Sequence, residues 1–122
     1  MKFNIKTDLK KFYRQFLELL SGIAPLNTLR KRELDLLGIY MYYNYKFRNL
    51  DEYARSALLA SPATRKQMQE DLDMGPDVFN NNIYLIRKTG LISKDGGLDK
   101  NLHVYPSENF RVEFNFKIDM YV

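Results

Sequence analysis

Twice within a short stretch, a residue suited to starting a helix is followed at once by proline: Ser61-Pro62 and Gly75-Pro76. Proline has no N–H to donate and its φ is fixed near the helical value, so it sits comfortably in the first turn of a helix, where that N–H has no partner anyway. Two such signals so close together leave room for one short helix, a corner around Met74 to Asp77, and a second helix. The first carries Met68 and Leu72 inward and ends near Asp73. The second runs roughly from Asp77 to Thr89 and is closed by Gly90, with Phe79, Ile83 and Ile86 recurring at helical spacing as its inward stripe. Asparagine is an indifferent helix former, yet Asn80, Asn81 and Asn82 stand in a row inside this second helix. Their placement raises the question of what that helix is for.

The flanking segments show different periods. MKFNIKT alternates Met1, Phe3 and Ile5 against Lys2, Asn4 and Lys6, the pattern of a short half-buried strand. From Asp8 the spacing becomes helical through Leu9, Phe12, Tyr13, Phe16, Leu17 and Leu20, with Gly22 and Pro25 as the stop. Thr28 offers an N-cap for a longer helix carrying Leu34, Leu37, Met41 and Tyr45 on one face, and a short helix follows Asp51. After Gly90, the runs LIS, KDGGLDKN and LHVYP predict strand, turn and strand. The segment FRVEFNFKIDMYV then alternates without a fault, predicting a long strand that pairs with the N-terminal one. With 122 residues and no low-complexity linker, the whole is expected to be a single α+β domain: residues 1–27 as strand and helix, 28–106 as the core, 107–122 as the terminal strand.

Two short helices joined by a corner and followed by a two-stranded ribbon resemble a winged helix-turn-helix, most closely the winged-helix repressors of the multiple-antibiotic-resistance type, over residues 28–106. The residues that carry the resemblance are Met68, Leu72, Met74, Phe79, Ile83 and Ile86 as core contacts, and Gly90-Leu91-Ile92 as the junction of helix and first wing strand. It implies four to five helices, a β-hairpin wing, and double-stranded DNA as partner. With the apolar stripe turned inward, Asn80, Asn81, Tyr84 and Arg87 face the side that enters a major groove. An asparagine amide there pairs bidentately with adenine, worth about 1–3 kcal/mol of discrimination against a wrong base. Arg65, Lys66, Lys94 and Lys100 are the expected phosphate contacts, joined by Arg30, Lys31 and Arg32 if the fold brings them near. The plain alternative for the asparagines is polar filling on a solvated face.

Charge weighs against a strong DNA binder. The net charge is +4, but residues 1–48 hold ten Lys/Arg against four Asp/Glu, and residues 49–122 hold nine against eleven. From Ser61 to Pro106 the basic residues Arg65, Lys66, Arg87, Lys88, Lys94 and Lys100 are matched by Glu70, Asp71, Asp73, Asp77, Asp95 and Asp99. Asp77 stands in the first turn of the reading helix, where it suits the helix dipole and repels a phosphate backbone. The Asp95-Gly96-Gly97 tip has no arginine to enter a minor groove.

Other chemistry is sparse. There is no cysteine, hence no disulfide and no thiolate metal site. The single histidine, His103, reads as structural, and Gly96-Gly97 as a turn rather than a phosphate cradle. No nucleophile, base and orienter come together in the pattern, so a non-enzymatic protein without cofactor or metal is expected. No apolar run is long enough to span a membrane and the N-terminus lacks a signal-type apolar core, which points to a cytoplasmic protein. The run IYMYYNYKF reads as core or subunit contact ahead of a base-stacking stripe. Two function classes remain. One is a DNA-binding regulator of transcription or replication, acting as a homo-oligomer. The other is a structural or adaptor subunit of a larger assembly, such as a phage virion component, that contacts other protein subunits through Phe110, Val112, Phe114, Phe116 and Ile118 of the terminal strand.

Overall fold

In the computed structural model, which describes residues 2–121, helix α1 spans Leu9–Leu20, α2 Lys31–Lys46, α3 Glu52–Leu59, α4 Pro62–Leu72 and α5 Pro76–Lys88. Single 3-10 turns occupy Leu26–Thr28 and Lys100–Leu102. Local chemistry explains the starts. The Asp8 carboxylate accepts from the Lys11 N–H at 2.9 Å and the Asp51 carboxylate from the Ala54 N–H at 2.8 Å, each satisfying a donor that has no partner inside the helix. Helix α2 begins later than its sequence suggests. Thr28 is spent in the preceding 3-10 turn, where its hydroxyl donates to the Pro25 carbonyl at 2.7 Å, and the residue ahead of α2 is Arg30, which makes no side-chain cap.

Helix α2 is the hub, packing against α1, α3, α4 and α5. Leu34, Leu36, Leu37, Tyr40 and Met41 are buried there against Tyr13 and Leu17 of α1, Met68 of α4, and Phe79, Ile83 and Ile86 of α5. The α1–α2 crossing is tight at Gly38, where a Cβ would lie 3.1 Å from the Arg14 Cα. Full burial of side chains of this size contributes about 1.5–3 kcal/mol each, so the core residues of α2 and α5 carry the fold.

The expected α+β class does not hold. Among the described residues there are helices and no strands, so the winged-helix architecture with a β-hairpin wing and an added strand pair is overturned. Where the wing was expected, a single antiparallel bridge links Ile92 and Leu98, flanked by Ser93 N–H to Gly97 C=O at 2.8 Å and Asp99 N–H to Leu91 C=O at 2.9 Å. The intervening residues are drawn into a tight turn by the Ser93 hydroxyl and the Asp95 carboxylate, both of which accept from the Gly97 N–H. The chain then enters the Lys100–Leu102 turn, and LHVYP is anchored by side chains instead of a ladder. The Tyr13 hydroxyl donates to the Val104 carbonyl at 2.7 Å, and Tyr105 stacks edge-on against Tyr45.

Neither terminal strand forms. Residues 2–7 are exposed and without regular structure, as are residues 109–119; Met1 and Val122, which the expected strands included, lie outside the described residues. The reason is physical: alternation gives each segment a half-buried period, but a strand also needs a neighbour for its backbone N–H and C=O groups. Nothing in the described chain supplies one. Phe110 is anchored, its ring meeting Phe12 at 5.0 Å and Phe16 at 5.9 Å.

Candidate nucleic-acid interface

The corner between α4 and α5 is built as its two prolines require. The Ser61 hydroxyl accepts from the Thr64 N–H at 3.3 Å with Pro62 in the first turn. At the other end Asp73 adopts the left-handed conformation, φ 51°, and the Met74 N–H closes on the Gln69 carbonyl at 2.9 Å. Gly75 then caps α5, Pro76 follows, and the Phe79 N–H donates to the Gly75 carbonyl at 3.0 Å.

This geometry separates the three asparagines. Asn80 and Asn81 are exposed, whereas Asn82 is buried beside Ile83, its amide nitrogen 3.7 Å from the Met74 sulfur, a weak acceptor. Tyr84 is 56% exposed on the same side of the helix as Asn80 and Asn81, and the Lys88 ammonium lies 4.7 Å from the centre of its ring. Asp77 and Val78 are exposed at the start of α5. The outward stripe therefore offers two amides, a phenol and a cation, preceded by a carboxylate.

Arg87 is placed differently from the sequence expectation. It is half-buried, its Nε has no hydrogen-bond partner, and one terminal nitrogen lies 3.5 Å from the Lys94 carbonyl. Its position shares a side of α5 with Asn80, but the long stem carries the guanidinium onto the Lys94–Gly96 loop. That loop is itself docked. The buried Tyr40 hydroxyl donates to the Gly96 carbonyl, and Gly96 packs so closely on α3 that a Cβ would fall 2.8 Å from the Ser56 carbonyl oxygen. Burial pushes the Tyr40 phenol up to about 12, against the opposing positive charges of Arg65 and Arg87. The Lys94–Gly96 loop thus takes the Tyr40 hydroxyl at Gly96 and the Arg87 guanidinium at Lys94, while Arg65 is half-buried on α4.

The remaining expected phosphate contacts are more dispersed. Lys66 is exposed on α4, Lys94 on the loop and Lys100 on the 3-10 turn beyond the bridge. Arg30, Lys31 and Arg32 are exposed at the start of α2. Tyr43, near the other end of α2, meets Asp71 of α4, so those three cations lie roughly 16 Å or more along the helix axis from that contact.

One acidic residue of the region is neutralised by a contact that sequence spacing does not reveal. Asp71 accepts from the Tyr43 hydroxyl at 2.5 Å, from Gln67 at 3.3 Å, and pairs with Lys10 of α1 at 2.9 Å. Burial acts to raise the Asp71 carboxyl, but the hydrogen bonds from Tyr43, Lys10 and Gln67 outweigh it and hold the group below its ordinary value. Asp95 is also held low, by the Ser93 hydroxyl and the Gly97 N–H.

The aromatic run of α2 belongs to the core and its margin. Tyr40 and Tyr43 are buried, while half-buried Tyr45 sits among Tyr13, Tyr105 and the Arg48 guanidinium, which lies 4.1 Å from its ring centre. His103 Nε2 donates to the Leu98 carbonyl at 2.9 Å, which fixes the ring as a brace for the loop. A cleft of about 730 Å³ between α1 and the start of α2 is lined by Arg14, Glu18 and Asp35, whose charges are satisfied by one another at 2.6–2.7 Å. No helix of the described residues is long and apolar enough to cross a membrane.

Comparison of the chain with models of known protein families, with curated proteins and with solved structures finds no match.

Proposed function

We propose that the chain is a non-enzymatic helix-turn-helix protein that binds double-stranded DNA through the exposed side of α5. The observation that carries this reading is the stripe Asn80, Asn81 and Tyr84, presented by a helix whose approach is set by the Gly75-Pro76 corner and whose outward side no other described element covers. Two adjacent amides are suited to adenine edges in a major groove, and a tyrosine adds a hydroxyl for base or phosphate. Arg65, Lys66, Lys94 and Lys100 supply backbone contacts. Arg87 serves as a loop brace in this arrangement and drops out of the reading set.

The test is equilibrium binding to mixed-sequence duplex DNA at 50 and 200 mM salt. Four neutralised phosphates give a salt exponent near −3.6, hence a loss of roughly 150-fold across that range. Replacing Asn80 and Asn81 together by alanine leaves this salt-dependent binding in place and removes sequence preference. Absence of binding at 50 mM salt would refute the proposal.

A second reading, an adaptor subunit of a larger assembly, is favoured by one specific observation. Phe116, Ile118 and Met120 are 85%, 72% and 78% exposed along an arm that the protein's own core does not cover. In that reading removal of residues 107–122 abolishes assembly while the helical core remains folded.

A further inference from the structure

The terminal arm carries a pattern beyond simple alternation. Phe110 is seated on Phe12 and Phe16, and Val112 and Phe114 remain more than half covered, but beyond them the apolar row leaves the core: Phe116 is 85% exposed, Ile118 72% and Met120 78%. Among the described residues, no backbone N–H between Tyr105 and Asp119 donates a hydrogen bond to another part of the chain. An extended segment with one apolar face and free backbone groups is half of a sheet, and the missing half has to satisfy both.

The identity of that half follows from the polar face, which reads Arg111, Glu113, Asn115, Lys117 and Asp119. If a second copy of the same segment is laid antiparallel about Asn115, Arg111 faces Asp119 and Glu113 faces Lys117. Two-fold symmetry repeats both pairs, and Asn115 faces itself. On the other face Phe110 meets Met120, Val112 meets Ile118, and Phe114 meets Phe116. Opposite charges directly across an antiparallel pair stabilise it, and like charges destabilise it.

Other arrangements are disfavoured. Sliding one copy by two residues sets Arg111 against Lys117 in one direction and Glu113 against Asp119 in the other. A slide of one residue sets the apolar row against the charged row. Parallel in-register pairing stacks every charge on its own kind. We propose that residues 110–120 are a self-complementary dimerisation strand, pairing antiparallel with the same strand of a second copy about a two-fold axis through Asn115. The joint is isologous and therefore closes at two chains. The apolar face of the ribbon continues from Phe110 over Phe12 and Phe16 of α1. This inference does not depend on DNA binding.

The chain lacks cysteine, so register is directly testable in the full-length protein. In Asn115→Cys the two sulfur-bearing residues stand opposite each other, with Cα atoms about 4.5–5.5 Å apart, inside the range a disulfide spans. In Glu113→Cys the two equivalent residues are offset by four positions, roughly 13 Å along the strands, and do not bridge. Under mild oxidation the first variant runs as a covalent dimer and the second as a monomer on a denaturing gel. By light scattering the wild type has twice the 14.5 kDa chain mass at micromolar concentration. Glu113→Lys weakens dimerisation about tenfold, because it sets lysine against lysine twice, and Glu113→Lys with Lys117→Glu restores it. Circular dichroism of the helices is unchanged in all these variants, which lie outside the core. A wild-type monomer at all concentrations, equal cross-linking of the two cysteine variants, or failure of the charge swap to restore the dimer would each overturn the proposal. Loss of DNA binding with the dimer intact tells against the DNA reading alone.

Discussion

Replacing Gly96 by alanine tests whether the segment between Leu91 and Leu98 stands away from the helices as a wing or is packed onto them. Two separate terms enter. Gly96 has φ +97°, a conformation an L side chain adopts at a cost of about 1–2 kcal/mol. The new Cβ would also fall 2.7 Å from the Ala60 Cβ and 2.8 Å from the Ser56 carbonyl oxygen, where the obstacles are a methyl group and helix backbone, neither able to swing aside. Overpacking of that kind adds about 1–3 kcal/mol. Gly90 supplies the control. Its φ is +83°, but a Cβ there meets nothing within 4 Å, so Gly90→Ala carries the conformational term alone. Urea unfolding followed by circular dichroism should therefore show Gly90→Ala less stable by about 1–2 kcal/mol and Gly96→Ala by about 2–5, with unchanged slopes. Equal losses for the two variants would mean that the loop does not press on α3, and the docked-loop geometry would fall.

Two further outcomes follow from the core and the α1–α4 clamp. Phe79→Ala removes a fully buried ring from the α5 stripe and lowers stability by about 3–5 kcal/mol, measured as a thermal midpoint shift; a loss below about 1 kcal/mol would contradict its place in the core. The Asp71 carboxyl is held below its ordinary value of 3.8, so its contribution is fully present above that pH and disappears as pH falls through the depressed folded value. Acid titration of stability should accordingly be shallower in Asp71→Asn than in the wild type, and coincident curves would show that Lys10 and Tyr43 do not favour the charged form.

How far the sequence discloses this structure depends on whether a feature is decided locally. The starts of α1, α3 and α4 follow from Asp8, Asp51 and Ser61, because a side-chain cap is a contact between residues three apart, and that of α5 from Pro76, whose fixed φ suits the first helical turn. The exposure of Asn80, Asn81 and Tyr84 follows from helical period once Phe79, Ile83 and Ile86 are known to point inward. The strands fail for the opposite reason: period two states which side of a segment is apolar, not what will pair with it. Arg87 departs because helical position fixes where a Cβ points, while a guanidinium several bonds away finds the Lys94 carbonyl. The clamp of Asp71 by Lys10 and Tyr43 joins residues far apart in the chain and leaves no periodic trace. Gln67, four residues before Asp71 on α4, was the one partner that spacing alone could have suggested.

The Tyr13 hydroxyl and the Val104 carbonyl are separated by 91 residues along the backbone. During synthesis, α1 leaves the ribosome long before Val104 exists, and the ring that will be wholly enclosed in the finished protein has no acceptor to seal it. A side chain of α1 is thereby tied to a carbonyl near the far end of the helical body. Fragments ending short of residue 104 should leave the enclosed Tyr13 hydroxyl without this acceptor, at a cost of about 1–3 kcal/mol for a buried polar group that has lost its partner.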